Sequence, residues 1–229
     1  MASLLHLLLT APKYRKISLS MKLIFATHNI GKVQEMTALL ADLHVEVLSA
    51  DEAGVTEDVL EDGATFEDNA RKKARFVHER TTPNPSLERR GDDLWAVADD
   101  SGCCIEALGG RPGVLSARWA GEGATDQTLV EHTLNEMKDV PEGKRQAWFQ
   151  TALCLLPPDG REWMFEGRVN GRIAVEPRGT PRAKLPYDAI FIPEGHDRTF
   201  AEMSLEEKNS MSHRGQAFQQ LREFFKTQL

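Results

Sequence analysis

Cysteine is almost absent from this chain: Cys103, Cys104 and Cys154 are the three among 229 residues. They are too few and too unevenly spaced for a disulfide framework or a four-ligand zinc site, and such sparing use fits a reducing cytoplasm. An excess of positive charge is also missing. Lys and Arg number 28 against 35 Asp and Glu, a net charge of −7. Bulk electrostatic binding to duplex nucleic acid needs many clustered cations and is not expected; a small basic pocket for a polyanion is still allowed. No apolar run is long enough for a bilayer. The one near the N-terminus, in MASLLHLLLTAPKYRKISLS, carries Lys13, Arg15 and Lys16 after the run, the reverse of a secretory signal. Its lack of acids is that of a transit peptide. The simpler expectation is an extension over residues 1–20, disordered or arising from an upstream start codon, before a folded domain that opens at Met21. Internal repeats and low-complexity tracts are missing too.

A complete P-loop is the last absence. The stretch FATHNIGKVQEM, residues 25–36, has the strand–turn–Gly-Lys order of a phosphate-binding loop. That motif requires a first Gly and a Ser or Thr after the Lys, and Ala26 and Val33 stand there instead. The junction still aims backbone N–H groups and a helix dipole at any anion, with Thr27, Asn29 and Lys32 beside it. The plain alternative is an ordinary strand-to-helix turn with a solvated lysine.

Periodicity predicts mixed α/β structure with hairpin material in its middle. Strands are expected over 22–27, 44–48, 94–98 and 187–192, and a long antiparallel pair over 145–156 and 162–173 around a PPDG turn. Helices are expected through Val33, Met36, Leu40 and Leu43; from Phe66 to about Arg80; through Val130, Leu134 and Met137, capped by Asp126; and through Phe218, Leu221 and Phe225, capped by Ser212. Ser204 and Glu207 have capping-box spacing. TTPNPSLERRGDD, residues 81–93, reads as a solvated loop.

Four polar clusters sit at element ends. The turn Thr27–Lys32 is one. Asp99-Asp100-Ser101-Gly102 is the second: carboxylates at the C-terminal end of a buried strand are placed for a metal such as Mg²⁺. Adjacent residues of a strand point to opposite faces, so one acid at most is expected to face the site directly. Lys208 with Ser212, His213, Arg214 and Gly215 is the third, at a helix junction where the dipole disfavours cations unless a ligand offsets them. KLPYDAIF is the fourth, offering Tyr187 as a flat wall and Asp188 as an acceptor. Each has a bland reading as a capped turn or a solvated junction. Glu61, Asp62, Glu67 and Asp68 form an acidic patch. Together the clusters suggest a nucleotide, its phosphates at Lys32 and its metal at Asp100.

The blocks FATHNIGK, ATFEDNARKKA, ADDSGCCIEALGGRPGVLSARWAG, YDAIF and SLEEKNSMSHRGQA resemble, in order and spacing, those of the inosine triphosphate pyrophosphatases, the Ham1-like noncanonical purine NTP pyrophosphatases, over about residues 22 to 227. The resemblance implies an α/β fold with an elongated mixed sheet, flanking helices and two lobes around a central cleft, as a single catalytic domain over 21–229. It implies a homodimer and Mg²⁺-dependent hydrolysis of ITP, dITP and XTP to the monophosphate and pyrophosphate. By motif position it implies that Thr27, His28, Asn29, Ile30, Gly31 and Lys32 cradle the triphosphate and that Asp100 binds metal and serves as base. Ser101 would touch the substrate, with Lys72 and Lys208 adding contacts. Leu185, Pro186, Tyr187 and Asp188 would border the base, and His213 and Arg214 would read its 6-oxo group. Glu61 is the second candidate metal ligand. The family's usual aromatic-Gly-aromatic-Asp run is here Leu185-Pro186-Tyr187-Asp188, which removes the first aromatic. Two alternatives therefore stay open: a nucleotide-binding module without turnover, and a pyrophosphatase for another modified nucleotide.

Overall fold

The computed structural model describes residues 21–81 and 94–228. The expectations for residues 1–20 and for the loop after Thr81 lie outside the described residues. Six strands form one sheet: Met21–Phe25 (β1), Val45–Ser49 (β2), Leu94–Ile105 (β3), Gln146–Leu156 (β4), Trp163–Ile173 (β5) and Phe191–Pro193 (β6). Their order is β2-β1-β3-β4-β5-β6. β1 runs parallel to β2 and β3, while β3 to β6 pair antiparallel. The helices are Ile30–Leu40 (α1), Phe66–Thr81 (α2), Asp126–Glu136 (α3), Leu205–Met211 (α4) and His213–Gln228 (α5).

Strand alternation divides the core. On one face Ala96, Ala98 and Cys104 of β3 and Ala152 and Cys154 of β4 pack under α2, against Phe66, Ala70, Ala74 and Val77. The other face holds two cores. Val97, Leu153 and Leu155 join Met36 and Leu40 of α1 and Phe218, Leu221 and Phe225 of α5. Cys103, Ile105, Ala147 and Phe149 join Phe191 and Phe200. Between them the sheet register aligns Ser101 with Thr151 and Thr151 with Gly167. This row of small or polar residues separates the two apolar patches, and the N-terminus of α5 docks on it.

Four expectations are corrected. β3 does not stop at Ala98 but runs through both acids to Ile105, because β4 continues the ladder after β1 ends. Residues 187–192 are not one strand: Pro186–Ala189 is a 3₁₀ turn and β6 begins at Phe191. Pro186 fixes its own φ and opens the turn. The cap of α3 is Thr125, whose side chain accepts from Thr128 N, rather than Asp126. Asp126 instead accepts from Lys184 N at 2.7 Å. Ser204 caps α4 through Glu207 N, but the Glu207 carboxylate pairs with Arg198. The reciprocal capping box belongs to Thr199 and Glu202.

Candidate active site

The first site element is the turn after β1. Ala26 N still bonds Val97 O of β3 at 2.8 Å; beyond it β1 leaves the sheet while β3 continues, opening a notch beside Asp99 and Asp100. Thr27 Oγ1 accepts from Asn29 N at 3.1 Å, and Asn29 Oδ1 accepts from Gly31 N at 3.0 Å, capping α1. The small polar residues thus build the turn that delivers Lys32. His28 points to Asp51, 2.9 Å away, and Ile30 is 56 % exposed.

The two acids do project to opposite faces, yet both sit in charged networks. Asp99 accepts from Lys32 Nζ at 2.8 and 2.9 Å and from Arg214 Nε at 3.3 Å. Arg214 Nη2 also reaches Ser101 Oγ at 3.3 Å. Burial alone would raise the Asp99 pKa; the charges of Lys32, Arg214 and Lys73 outweigh it and hold the carboxyl well below its usual range. Burial lowers the Lys32 pKa despite that pairing. A single buried carboxylate thus ties the cation of the Thr27–Lys32 turn to the cation at the start of α5.

On the α2 face, Asp100 Oδ2 accepts from Asn69 Nδ2 at 3.0 Å and Oδ1 from Lys73 Nζ at 3.2 Å. Lys73 Nζ also donates to Glu61 Oε1 at 2.8 Å. Glu61 is held through its backbone as well, its carbonyl accepting from Arg118 Nη2 at 2.6 Å. Desolvation raises the Asp100 pKa although Lys73 and Asn69 oppose it. For Lys73, burial disfavours the charge, but Asp100, Asp99 and Glu61 prevail and raise its pKa. A cavity of about 210 Å³ at this notch is lined by Thr27, Lys32, Glu61, Lys73 and Asp99 among others.

The third part is a larger cleft, about 1280 Å³, on the α5 side, bordered by Ser101, Phe149, Leu185, Asp188, Lys208 and Arg214. Asp188 and Lys208 form a buried pair at 2.5 Å, with Arg182 at 3.5 Å from the same carboxylate. Tyr187 is not a free wall: its hydroxyl donates to Ser116 O at 2.8 Å. The His213 ring stacks on Phe149 at 4.8 Å and 10°, and its Nδ1 is buried without a partner. Burial, then the charges of Arg214 and Lys208, push the His213 pKa well below its ordinary value, so the ring is neutral. Leu185 and Pro186 line the cleft as aliphatic surface.

The fold therefore brings Lys32, Ser101 and Arg214 together around Asp99, Glu61 close to Asp100 through Lys73, and Leu185, Pro186, Tyr187, Asp188, Lys208 and His213 around the cleft. It does not bring in Lys72, which is half exposed and pairs with Asp62 at the surface. Sequence reading passed over Lys73, Asn69 and Phe149, and left open which of Asp99 and Asp100 faces the site. A signal existed for two of them: Asn69 and Lys73 are one turn apart and continue from Phe66 along the buried face of α2. A wholly buried Asn on an apolar face needs a partner.

The carboxylates suit a divalent cation. Among the described residues no group of three or more His, Cys, Asp or Glu is poised for metal. Asp100 and Glu61 alone, bridged by a single ammonium, match an ion that takes one or two protein carboxylates and completes its shell with water and phosphate oxygens, as Mg²⁺ does.

Comparison with known proteins places the chain among relatives along nearly its whole length. A model of the Ham1 family matches residues 23–224. A dITP/XTP pyrophosphatase of Streptomyces avermitilis is 42% identical over 202 residues, covering 87% of this chain and 94% of that protein. One from Streptomyces coelicolor is 43% identical over 202 residues, with the same coverage. Among solved structures, a HAM1 protein from Coxiella burnetii superposes with a TM-score of 0.80 at 36% identity, covering 90% of this chain and 99% of that one.

Proposed function

The chain belongs to the Ham1 family, and on that premise we propose that it is an enzyme hydrolysing noncanonical purine nucleoside triphosphates (ITP, dITP and XTP) to the monophosphate and pyrophosphate. The observation that carries this reading is the notch where β1 ends. It sets a cation-bearing phosphate turn and two buried carboxylates beside a cleft large enough for a nucleoside.

In this reading Thr27–Lys32 binds the phosphates through the Lys32 ammonium and the positive end of the α1 dipole. Asp100 positions the attacking water and accepts its proton; burial favours its protonated form and so makes the carboxylate a better base. Water adds at the α-phosphorus, the bond to the bridging oxygen breaks, and pyrophosphate leaves. A Mg²⁺ ion held by Asp100 and Glu61 would supply neutralisation of phosphate charge. Lys208 is tied to Asp188 beside the base. Arg214 and neutral His213 face the 6-position, where inosine and xanthosine carry an oxygen and adenosine an amino group. A donor stranded against that amino group costs about 1–3 kcal/mol, roughly 10- to 100-fold in selectivity. Phe149 is already stacked on His213, and Leu185 and Pro186 offer aliphatic contact, so base recognition rests on hydrogen bonding more than on an aromatic platform.

The deciding experiment is pyrophosphate release from ITP, XTP and dITP against ATP and GTP, with Mg²⁺ and with chelator. Preferential, metal-dependent release from the 6-oxo nucleotides is expected. Tight ITP binding without product would instead make the chain a binding module. We further propose that the single domain over 21–229 works as a homodimer in the cytoplasm; sedimentation equilibrium checks the dimer. Among the described residues no helix is long and apolar enough to cross a membrane.

A further inference from the structure

Lys73 occupies a place in which a metal ion would be expected. Its ammonium lies 2.8 Å from Glu61 Oε1 and 3.2 Å from Asp100 Oδ1, bridging the two carboxylates proposed to hold the divalent cation. Its side chain is 13 % exposed, against 10 % for Asp100 and 32 % for Glu61. No other cation bonds either carboxylate among the described residues. Two carboxylates facing one gap repel each other, and in a partly buried site that repulsion is poorly screened. One ammonium offsets it. A divalent ion bound by both carboxylates cannot share the gap with the ammonium: the two cations would stand within a few ångströms of each other.

We propose that Lys73 is an internal stand-in for the metal. In the free enzyme its ammonium fills the site between Glu61 and Asp100, and the divalent ion enters only by displacing it. The displaced side chain has somewhere to go. Lys73 lines the 210 Å³ cavity that it shares with Thr27, Lys32 and Asp99, so a swing away from the carboxylates carries its charge toward the phosphate turn. Displacement is therefore unfavourable for the metal alone and favourable when polyphosphate receives the ammonium. The enzyme takes metal and triphosphate together, and its two carboxylates are never left facing each other uncompensated. Asn69, 3.0 Å from Asp100 Oδ2 on the same helix, keeps that carboxylate oriented through the exchange.

This inference rests on the proposed metal role of Asp100 and Glu61, but its test needs no turnover. Mn²⁺ binding to the nucleotide-free full chain is measured by electron paramagnetic resonance for wild type, Lys73→Gln and Lys73→Arg. Removal of the stand-in is expected to tighten Mn²⁺ binding by at least tenfold in Lys73→Gln, while Lys73→Arg stays near wild type. Equal or weaker binding in Lys73→Gln overturns the proposal, even if the wild-type enzyme hydrolyses ITP normally. A second measurement uses wild type alone, so it stands whatever the fold of the variants. Reductive methylation of Lys73, followed by peptide mass spectrometry, is expected to rise severalfold at saturating Mn²⁺, as the ammonium leaves its carboxylates. Unchanged labelling with Mn²⁺ demonstrably bound overturns it.

Discussion

His213 is a residue whose protonation couples to the fold. Its ring lies flat on Phe149, near Arg214 and Lys208, and its folded-state pKa lies below the ordinary 6.5. As pH falls, the unfolded chain therefore binds the proton first. The stability associated with the neutral ring is complete above about pH 6.5 and declines as pH drops through the folded-state value. Replacement by Gln removes that proton uptake. The melting temperature of His213→Gln is expected to change less than that of wild type between about pH 7 and about pH 5, as scanning calorimetry would read. Asp99 acts lower on the scale, its depressed pKa contributing stability that fades only below the ordinary carboxylate range. Asp100 is the residue proposed as the base. Asp100→Asn keeps a carbonyl for Asn69 and Lys73, so melting temperature and circular dichroism should stay near wild type. Pyrophosphate release from ITP should fall by roughly 10²-fold or more; a kcat close to wild type would remove Asp100 from the role of base.

Among the elements, the docking of α5 on β5 sets where His213 and Arg214 stand. It depends on Gly167. A Cβ there would lie 1.9 Å from the His213 carbonyl oxygen, so the helix start rests directly on bare backbone. Ser212 Oγ accepts from Gly215 N at 3.1 Å and completes the first turn. Gly167→Ala must push α5 outward, with an overpacking cost of about 1–3 kcal/mol. Urea denaturation should show that loss. ITP kcat/KM should fall with it, because Arg214 is drawn off Asp99 and Ser101 while the α2 side of the site is untouched. Wild-type stability in this variant would mean that the helix does not bear on the sheet at this point. The ends of elements were the least legible part of the sequence. The apolar stripes of α1, α2 and α5 were readable because core positions repeat every three or four residues. The extent of β3 was not, because Asp99 and Asp100 look like a strand terminus and are held inside the ladder only by β4.

At the scale of the molecule, a cluster distant from the chemistry joins the parts. Arg145 is 4 % exposed and forms no close ion pair among the described residues, with Glu142 acting on it only at longer range. Its guanidinium donates instead to four carbonyls: Ile173 at 3.0 Å, Met137 at 2.8 Å, Val140 at 3.2 Å and Ala174 at 3.0 Å. It thereby fastens the end of α3 and the segment after it to the end of β5. Arg145→Met fills similar volume but strands those acceptors. A loss of about 3 kcal/mol, the upper end for a buried polar group left unpaired, is expected as a lower urea midpoint with an unchanged slope. A shift under about 0.5 kcal/mol would show that water or repacking replaces the guanidinium.

The sequence by itself determined the class of protein and most of its parts. The order of strands and amphipathic helices, the turn at Thr27–Lys32, the acid pair of β3 and the Ser212–Gly215 junction follow from residue types at local spacings, and the motif blocks carry the family. Which cation meets which carboxylate was decided only in three dimensions. Lys72 and Lys73 are neighbours of the same type on a helix, and about 100° of rotation sends one to Asp62 at the surface and the other between Glu61 and Asp100. Asp99 and Asp100 likewise differ only in the face of β3 that each occupies. Local patterning fixes such faces relative to their own element. What waits on each face depends on strands and helices far away in the chain, whose packing is set by the sum of the cores and not by any one motif.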